Sequence, residues 1–188
     1  MEVRRIRPQE WAQLRDVRLR ALEDAPDSFG STLAETRLRD DDHWRAWADS
    51  AGSSAEAAVF VAVEEGRFAG LCGSFLHGDD PRIGHIVAMW VAPESRGRAL
   101  GGELLDAASR WSAAQGALEL VLDVTETNEA ARRLYRRSGF SETGETASLR
   151  SNPSLITVQM RKPLVRLGHT SRSEQPGRME RGRRRPAA

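Results

Sequence analysis

The chain has 188 residues and a mass of 20.8 kDa, which suits one ordinary domain with little left for a second. Hydrophobic residues make up 39% and charged residues 29%, outside the disordered profile, and no apolar run nears the roughly 18 residues of a spanning helix. Its single cysteine, Cys72, excludes an intramolecular disulfide framework and a cysteine-built zinc site, and with no secretory leader pattern a soluble cytoplasmic protein is expected.

The formal charge of +1 hides an asymmetry: residues 168–188 carry six Arg against two Glu, which leaves the rest mildly acidic. That stretch is rich in Gly, Pro, Ser and Arg and has almost no apolar residues to offset the entropy of ordering, so a disordered tail is expected there, with one domain over 1–167. Its Arg183-Arg184-Arg185 run could meet nucleic acid or an acidic partner. A solvated spacer is the plainer reading.

Val3 to Arg7 alternates apolar and basic residues, as a short half-exposed strand does. Trp11, Leu14, Val17, Ala21 and Leu22 then recur at helical spacing until Ala25-Pro26 stops the pattern. After a loop over 26–33, one more polar helix is predicted from Ala34 to Asp49, carrying Leu38, Trp44 and Trp47. Ala57 to Glu64 and Phe68 to His77 read as a hairpin turning at Glu65-Gly66-Arg67, and Ile83 to Ala92 as a further strand. Leu100 to Ala114 has helical period with Gly116 as its stop, and Leu118 to Thr125 is an apolar run of strand length. Asn128 to Ser138 is helical, and Phe140 to Thr146 and Leu155 to Met160 are the last strands. Antiparallel strands followed by a β-α-β crossover predict an α/β fold, with a mixed, mostly antiparallel central sheet and helices on both faces.

Two segments carry chemistry. Val91-Ala92-Pro93-Glu94-Ser95-Arg96-Gly97-Arg98-Ala99-Leu100-Gly101-Gly102 joins a predicted strand to a predicted helix. A helix start offers amides without intrahelical partners and a partial positive charge, so a diphosphate can be held there by main chain, with Arg96 and Arg98 adding charge. Taken alone, the same glycines also suit a tight strand-to-helix loop; they match neither the Walker nor the Rossmann spacing. The second segment runs from Asn128, a good N-cap, to Gly139-Phe140, and places Ala131, Leu134 and Tyr135 on one side of a helix. Taken alone, Tyr135 is an amphipathic packing residue.

Together, V-x-P-x-x-R-G-x-A-L-G-G-x-L-L and N-x-x-A-x-x-L-Y-x-x-x-G-F resemble the GNAT superfamily of acetyl-CoA-dependent N-acetyltransferases, over residues 1 to about 167. The resemblance implies a GNAT-like acyl-CoA N-acyltransferase fold and transfer of an acetyl group to a primary amine by direct attack in a ternary complex. Acetyl-CoA is the implied co-substrate, and no metal is expected. Arg96, Gly97, Arg98, Ala99, Leu100, Gly101 and Gly102 correspond to the pyrophosphate loop, with Ala99 standing where the family usually has glycine. Met89, Trp90 and Val91 correspond to the strand end that pairs with the pantetheine arm, and Asn128 and Tyr135 to positions near its sulfur.

By the same resemblance Tyr135 protonates the leaving thiolate, and His85 stands where some members carry a general base. The family's acceptor side points to Asp24, Asp27, Phe29 and Glu35, whose carboxylates would suit a cationic amine, either a small molecule or a protein amine. Cys72 has no activating His near it in sequence and reads as structural. The substitution at Ala99 supports an alternative, a GNAT-like module that binds acyl-CoA without turnover. A membrane partner is not expected, nucleic acid is not favoured, and a homodimer stays open.

Overall fold

The computed structural model describes residues 1–76 and 79–164. The Arg-rich tail and His77 lie outside the described residues. The strands are β1 (Glu2–Arg5), β2 (Ala57–Glu64), β3 (Arg67–Leu76), β4 (Ile83–Val91), β5 (Glu119–Thr125), β6 (Ser141–Leu149) and β7 (Asn152–Pro163). The helices are α1 (Trp11–Asp24), α2 (Leu33–Arg37), α3 (Asp41–Ser53), α4 (Leu100–Ala114) and α5 (Glu129–Arg137).

The run AAVFVAVE of β2 explains why the sheet is covered on both faces. Ala58, Phe60 and Ala62 share a core with Leu104, Leu105 and Ala108 of α4 and Tyr135 of α5. Val59 and Val61 share the opposite core with Leu14, Val17 and Leu22 of α1 and Trp44 of α3. Successive strand residues point to opposite faces, so a strand buried on both sides must be apolar throughout.

The segment expected as one helix over 34–49 is two helices. Thr32 Oγ1 accepts from Glu35 N at 3.2 Å while Thr32 N donates to Glu35 Oε2 at 3.0 Å, a capping box that starts α2. The helix then stops, and Asp40 Oδ1 accepts from His43 N at 2.8 Å to start α3. Leu38 falls in the break and is 87% exposed. The last hairpin is also longer than expected. β6 is largely exposed, because an edge strand with one solvated face needs few apolar residues to be read by.

The sheet order is β1-β2-β3-β4-β5-β7-β6, the mixed sheet expected from sequence. Its one parallel junction, β4 with β5, is reached through the α4 crossover. That junction holds only Ile83↔Glu119, Gly84↔Leu120 and His85↔Val121, whereas β5 stays paired with β7 as far as Thr125↔Thr157. Beyond His85 the two strands therefore diverge. The β3–β4 register also shifts between Leu71 and Gly73, and Ala88 sits at φ 53°, a bulge that bends β4 away. From Ile86 to Val91, β4 keeps β3 on one side and presents an open edge on the other, among the described residues.

Candidate active site

The strand-to-helix loop and the start of α5 enclose a cavity of about 580 Å³. Its floor is the open edge of β4 at Met89, Trp90 and Val91; Arg96, Gly97, Ala99 and Leu100 to Gly102 form one wall, and Asn128, Ala131, Leu134 and Tyr135 the other. Gly101 lets the two walls come close, since a Cβ there would stand 2.8 Å from Leu134 Cδ2 and push that side chain aside. Ala99 takes the left-handed conformation, φ 64°, as the N-cap of α4. Gly102 N is the first amide of that helix with a backbone acceptor, Ala99 O at 2.9 Å, among the described residues. The preceding amides are therefore free of backbone partners and face a site suited to an anion.

Both loop arginines are already matched with carboxylates. Arg96 donates through Nε to Val91 O at 2.9 Å and through its terminal nitrogen to the Asp24 carboxylate. Arg98 donates to Glu64 Oε1 at 2.7 Å, and Ser95 Oγ to Glu64 Oε2 at 2.8 Å. Their role in the fold is to hold the loop, so the charge offered to a ligand by Arg96 is shared with Asp24.

A second cavity, of about 790 Å³, lies between α1 to α3, the divergent half of β4 and β5, and the β6–β7 hairpin. The loop after α1 is pinned into it from both sides: Thr125 Oγ1 donates to Asp27 O at 2.6 Å, Ser151 Oγ to Phe29 O at 2.5 Å and Arg150 Nε to Gly30 O at 2.7 Å. Arg18, Phe29, Ser31, Arg39, His43, Trp47, Asp123 and Arg150 are among its lining residues. Burial, with Arg39 adding to it, pulls the Arg18 pKa down to about 10. His43 Nε2 lies 2.6 Å from the Arg39 guanidinium and must accept from it; burial and Arg39 lower its pKa, which favours the neutral ring. Asp123 moves the other way, its carboxyl raised by desolvation against an opposing pull from His85.

A narrow space of about 80 Å³ joins the two cavities where β4 and β5 part. Met89, Asn128, Ala131 and Tyr135 border it and the loop cavity; Phe29, Ala88, Asp123 and Thr125 border it and the second cavity. Tyr135 is 7% exposed, and burial pushes its phenol well above the ordinary value, so it holds its proton at neutral pH. Cys72 is fully buried with its thiol pushed up to about 12, and an un-ionised thiol is a poor nucleophile.

The family model described as acetyltransferase (GNAT) family matches residues 14–140, which include both the loop and α5. The chain belongs to the GNAT family. It is 34% identical to a mycothiol acetyltransferase from Stackebrandtia nassauensis over 131 residues, 69% of this chain and 40% of that protein. It is 33% identical to the N-acetyltransferase YhfO of Bacillus subtilis over 90 residues, 46% of this chain and 60% of YhfO. The chain thus spans about 40% of the length of the mycothiol acetyltransferase it matches. In fold it is similar to a GNAT acetyltransferase from Streptococcus pneumoniae, with a TM-score of 0.74 and 22% identity over 87% of this chain and 99% of that one. It is also similar to yncA from Salmonella typhimurium, solved with its cofactor acetyl-CoA, with a TM-score of 0.73 and 19% identity over 92% and 98% of the chains.

Set on this GNAT fold, the residues singled out from sequence divide in two. Of those expected to bind coenzyme, all but Arg98 line the loop cavity; Arg98 is turned to Glu64 instead. Asn128 caps α5 through Ala131 N at 3.1 Å and donates to Ser28 Oγ at 3.1 Å, which ties that helix to the loop after α1. The acceptor residues fare differently. Phe29 lines the second cavity, but Asp24 lines the loop cavity, where it accepts from Trp90 Nε1 at 2.8 Å. Asp27 and Glu35 are exposed and line none of the three cavities, Glu35 because its carboxylate caps α2. His85 lines none of them either; its ring stacks on Phe75 at 4.9 Å.

Residues missed from sequence include Arg18, Arg39 and Asp123. Asp123 left a readable sign, a carboxylate inside the apolar run LVLDV of β5, where an acid must be explained. The arginines left none, in a chain with 27 of them.

Proposed function

We propose that the chain transfers the acetyl group of acetyl-CoA to a primary amine by direct attack in a ternary complex. The observation that carries this is the meeting of the two cavities at the β4–β5 divergence, with Tyr135 at the junction. The loop cavity fits the coenzyme: unpaired amides lie at the start of α4, an open strand edge lies beside them, and no atom comes within 4 Å of a Cβ built on Gly102. The coenzyme supplies an activated acyl thioester when bound. The amides at 98 to 101 hold its pyrophosphate, and the free edge of β4 from Met89 to Val91 takes the pantetheine amides and offers donors to the oxyanion that develops on the carbonyl.

The amine enters from the second cavity as an ammonium and must lose a proton before its nitrogen can bond to the carbonyl carbon. Asp123, on the channel wall, accepts it, with His85 coupled to it electrostatically from the sheet. As the carbon–sulfur bond breaks, Tyr135 gives its hydroxyl proton to the departing sulfur and regains one from the cationic adduct nitrogen, which becomes the neutral amide by losing it. The balance is ammonium plus thioester giving amide, free thiol and one proton.

The test is release of free thiol from acetyl-CoA against a panel of primary amines. Saturable coenzyme binding with no turnover on any amine would replace this reading with that of a binding module.

A further inference from the structure

We propose, resting on the acetyl-transfer reading above, that the second cavity takes a small amine that also carries an oxyanion, a carboxylate foremost, and that Arg18 is the residue that receives it, with Arg39 and Arg150 beside it.

The cavity has the wrong charge for a purely cationic acceptor. Three guanidiniums line it, from Arg18, Arg39 and Arg150, against a single carboxylate, Asp123. The acids that the sequence offered for a cationic amine are engaged elsewhere. Asp24 binds Trp90 and Arg96 on the coenzyme side, and Glu35 caps α2 with its carboxylate also 3.9 Å from Arg150, so that of the three guanidiniums Arg150 alone is matched by a carboxylate among the described residues.

Arg18 is the decisive member. The residue is 8% exposed, its guanidinium carbon 4.4 Å from the centroid of the Phe29 ring, with one terminal nitrogen donating to Ser31 Oγ at 2.8 Å. The other, Nη1, is buried with no acceptor. Among the described residues no carboxylate lies within ion-pair distance of Arg18, and the charge that acts on it is the like charge of Arg39. A buried cation with neutral contacts alone is costly unless something in the working complex neutralises it. A guanidinium fork matches a carboxylate or phosphate in geometry as well as charge. Ser31 also lines the cavity, and since its oxygen accepts from Arg18, its hydroxyl proton is free to donate to the same group.

The residue shared with the channel sets the orientation. Asp123 borders both the second cavity and the channel to Tyr135, so an amine placed there points at the thioester while its oxyanion lies back towards Arg18. The substrate class is therefore an amino acid or a related amine acid, and simple alkylamines and polyamines are disfavoured by the three arginines.

The test compares matched pairs with the full chain and acetyl-CoA, reading thiol release: 2-phenylethylamine with phenylalanine, isobutylamine with valine, and the aminophosphonate of each skeleton to separate carboxylate from phosphorus oxyanion. The expected result is a kcat/KM at least tenfold higher for the anionic member of a pair, a preference that Arg18→Gln abolishes and Arg18→Lys partly retains. Should Arg18→Gln fail to fold, Arg39→Gln and Arg150→Gln, both at exposed positions, are each expected to reduce the preference severalfold. Neutral amines used as well as their anionic partners, or a preference that survives Arg18→Gln, would overturn the proposal while leaving acetyl transfer intact. If no amine is acetylated, the transfer reading fails, and calorimetric titration of 3-phenylpropanoate and inorganic phosphate then decides the anion site alone. Binding lost in Arg18→Gln supports it, and absence of binding in the native chain overturns it.

Discussion

The indole N–H of Trp90 donates to the Asp24 carboxylate at 2.8 Å, joining the last residue of α1 to the open edge of β4. The same carboxylate holds Arg96 of the loop, so one acid sets both floor and wall of the loop cavity. Asp24→Asn keeps the size and removes the charge. Because Arg96 is half exposed, the ion pair contributes only about 1 kcal/mol, and the expected effect is a roughly fivefold weaker Kd for coenzyme A by calorimetry. An unchanged Kd would show that the loop holds its shape without Asp24.

Tyr135→Phe tests the acid. General acid catalysis contributes on the order of 100-fold or more, so kcat should fall by at least that factor. The ring still packs against Phe140, 6.0 Å away, so coenzyme binding should stay within about twofold. A kcat near that of the native chain would remove Tyr135 from proton transfer.

Ala99 holds a left-handed backbone at φ 64° that costs an L-residue about 1–2 kcal/mol. Part of the relief in Ala99→Gly is offset by the greater freedom of glycine in the unfolded chain, so a net stabilisation of about 0.5–1 kcal/mol is expected from urea unfolding. The loop conformation is already formed with alanine, and coenzyme affinity should change little. A large gain in affinity would mean that the native loop is strained away from its binding shape.

The carboxyl of Asp123 has its pKa raised by desolvation. The unfolded chain therefore ionises this group at lower pH than the folded one, and ionisation favours unfolding. The penalty is absent below the unfolded value and complete once pH has risen through the folded one. Asp123→Asn should accordingly show a higher Tm than the native chain at pH 7 and an equal one near pH 3, while its kcat falls and loses its acidic pH limb. Equal Tm at both pH values would show that the site is solvated.

The loop cavity was legible because it is local. The stretch from Met89 to Gly102 and one helix from Asn128 carry every lining group except Asp24 and Ala25, and glycines, caps and helical spacing are properties of neighbouring residues. Capping chemistry, had Thr32-Glu35 and Asp40 been weighed against the helical period, would also have divided α2 from α3.

The second cavity is different in kind. Arg18 on α1, Ser31 in a loop, Arg39 before α3, Asp123 on β5 and Arg150 in the last hairpin are far apart in the chain, and nothing in their spacing links them. Which charges face the cavity was likewise undecidable from composition: Asp24 and Glu35 are held by contacts within the fold, while Asp123 lines the cavity and Arg18 keeps a buried nitrogen without an acceptor. The amino-acid sequence by itself determined the family and the order of elements apart from the α2–α3 break, and it marked the strand-to-helix loop, since each is written in short-range pattern. Only the tertiary structure decided the second cavity, because it depends on where β4 and β5 cease to pair after His85↔Val121 and on which distant charges that divergence brings together.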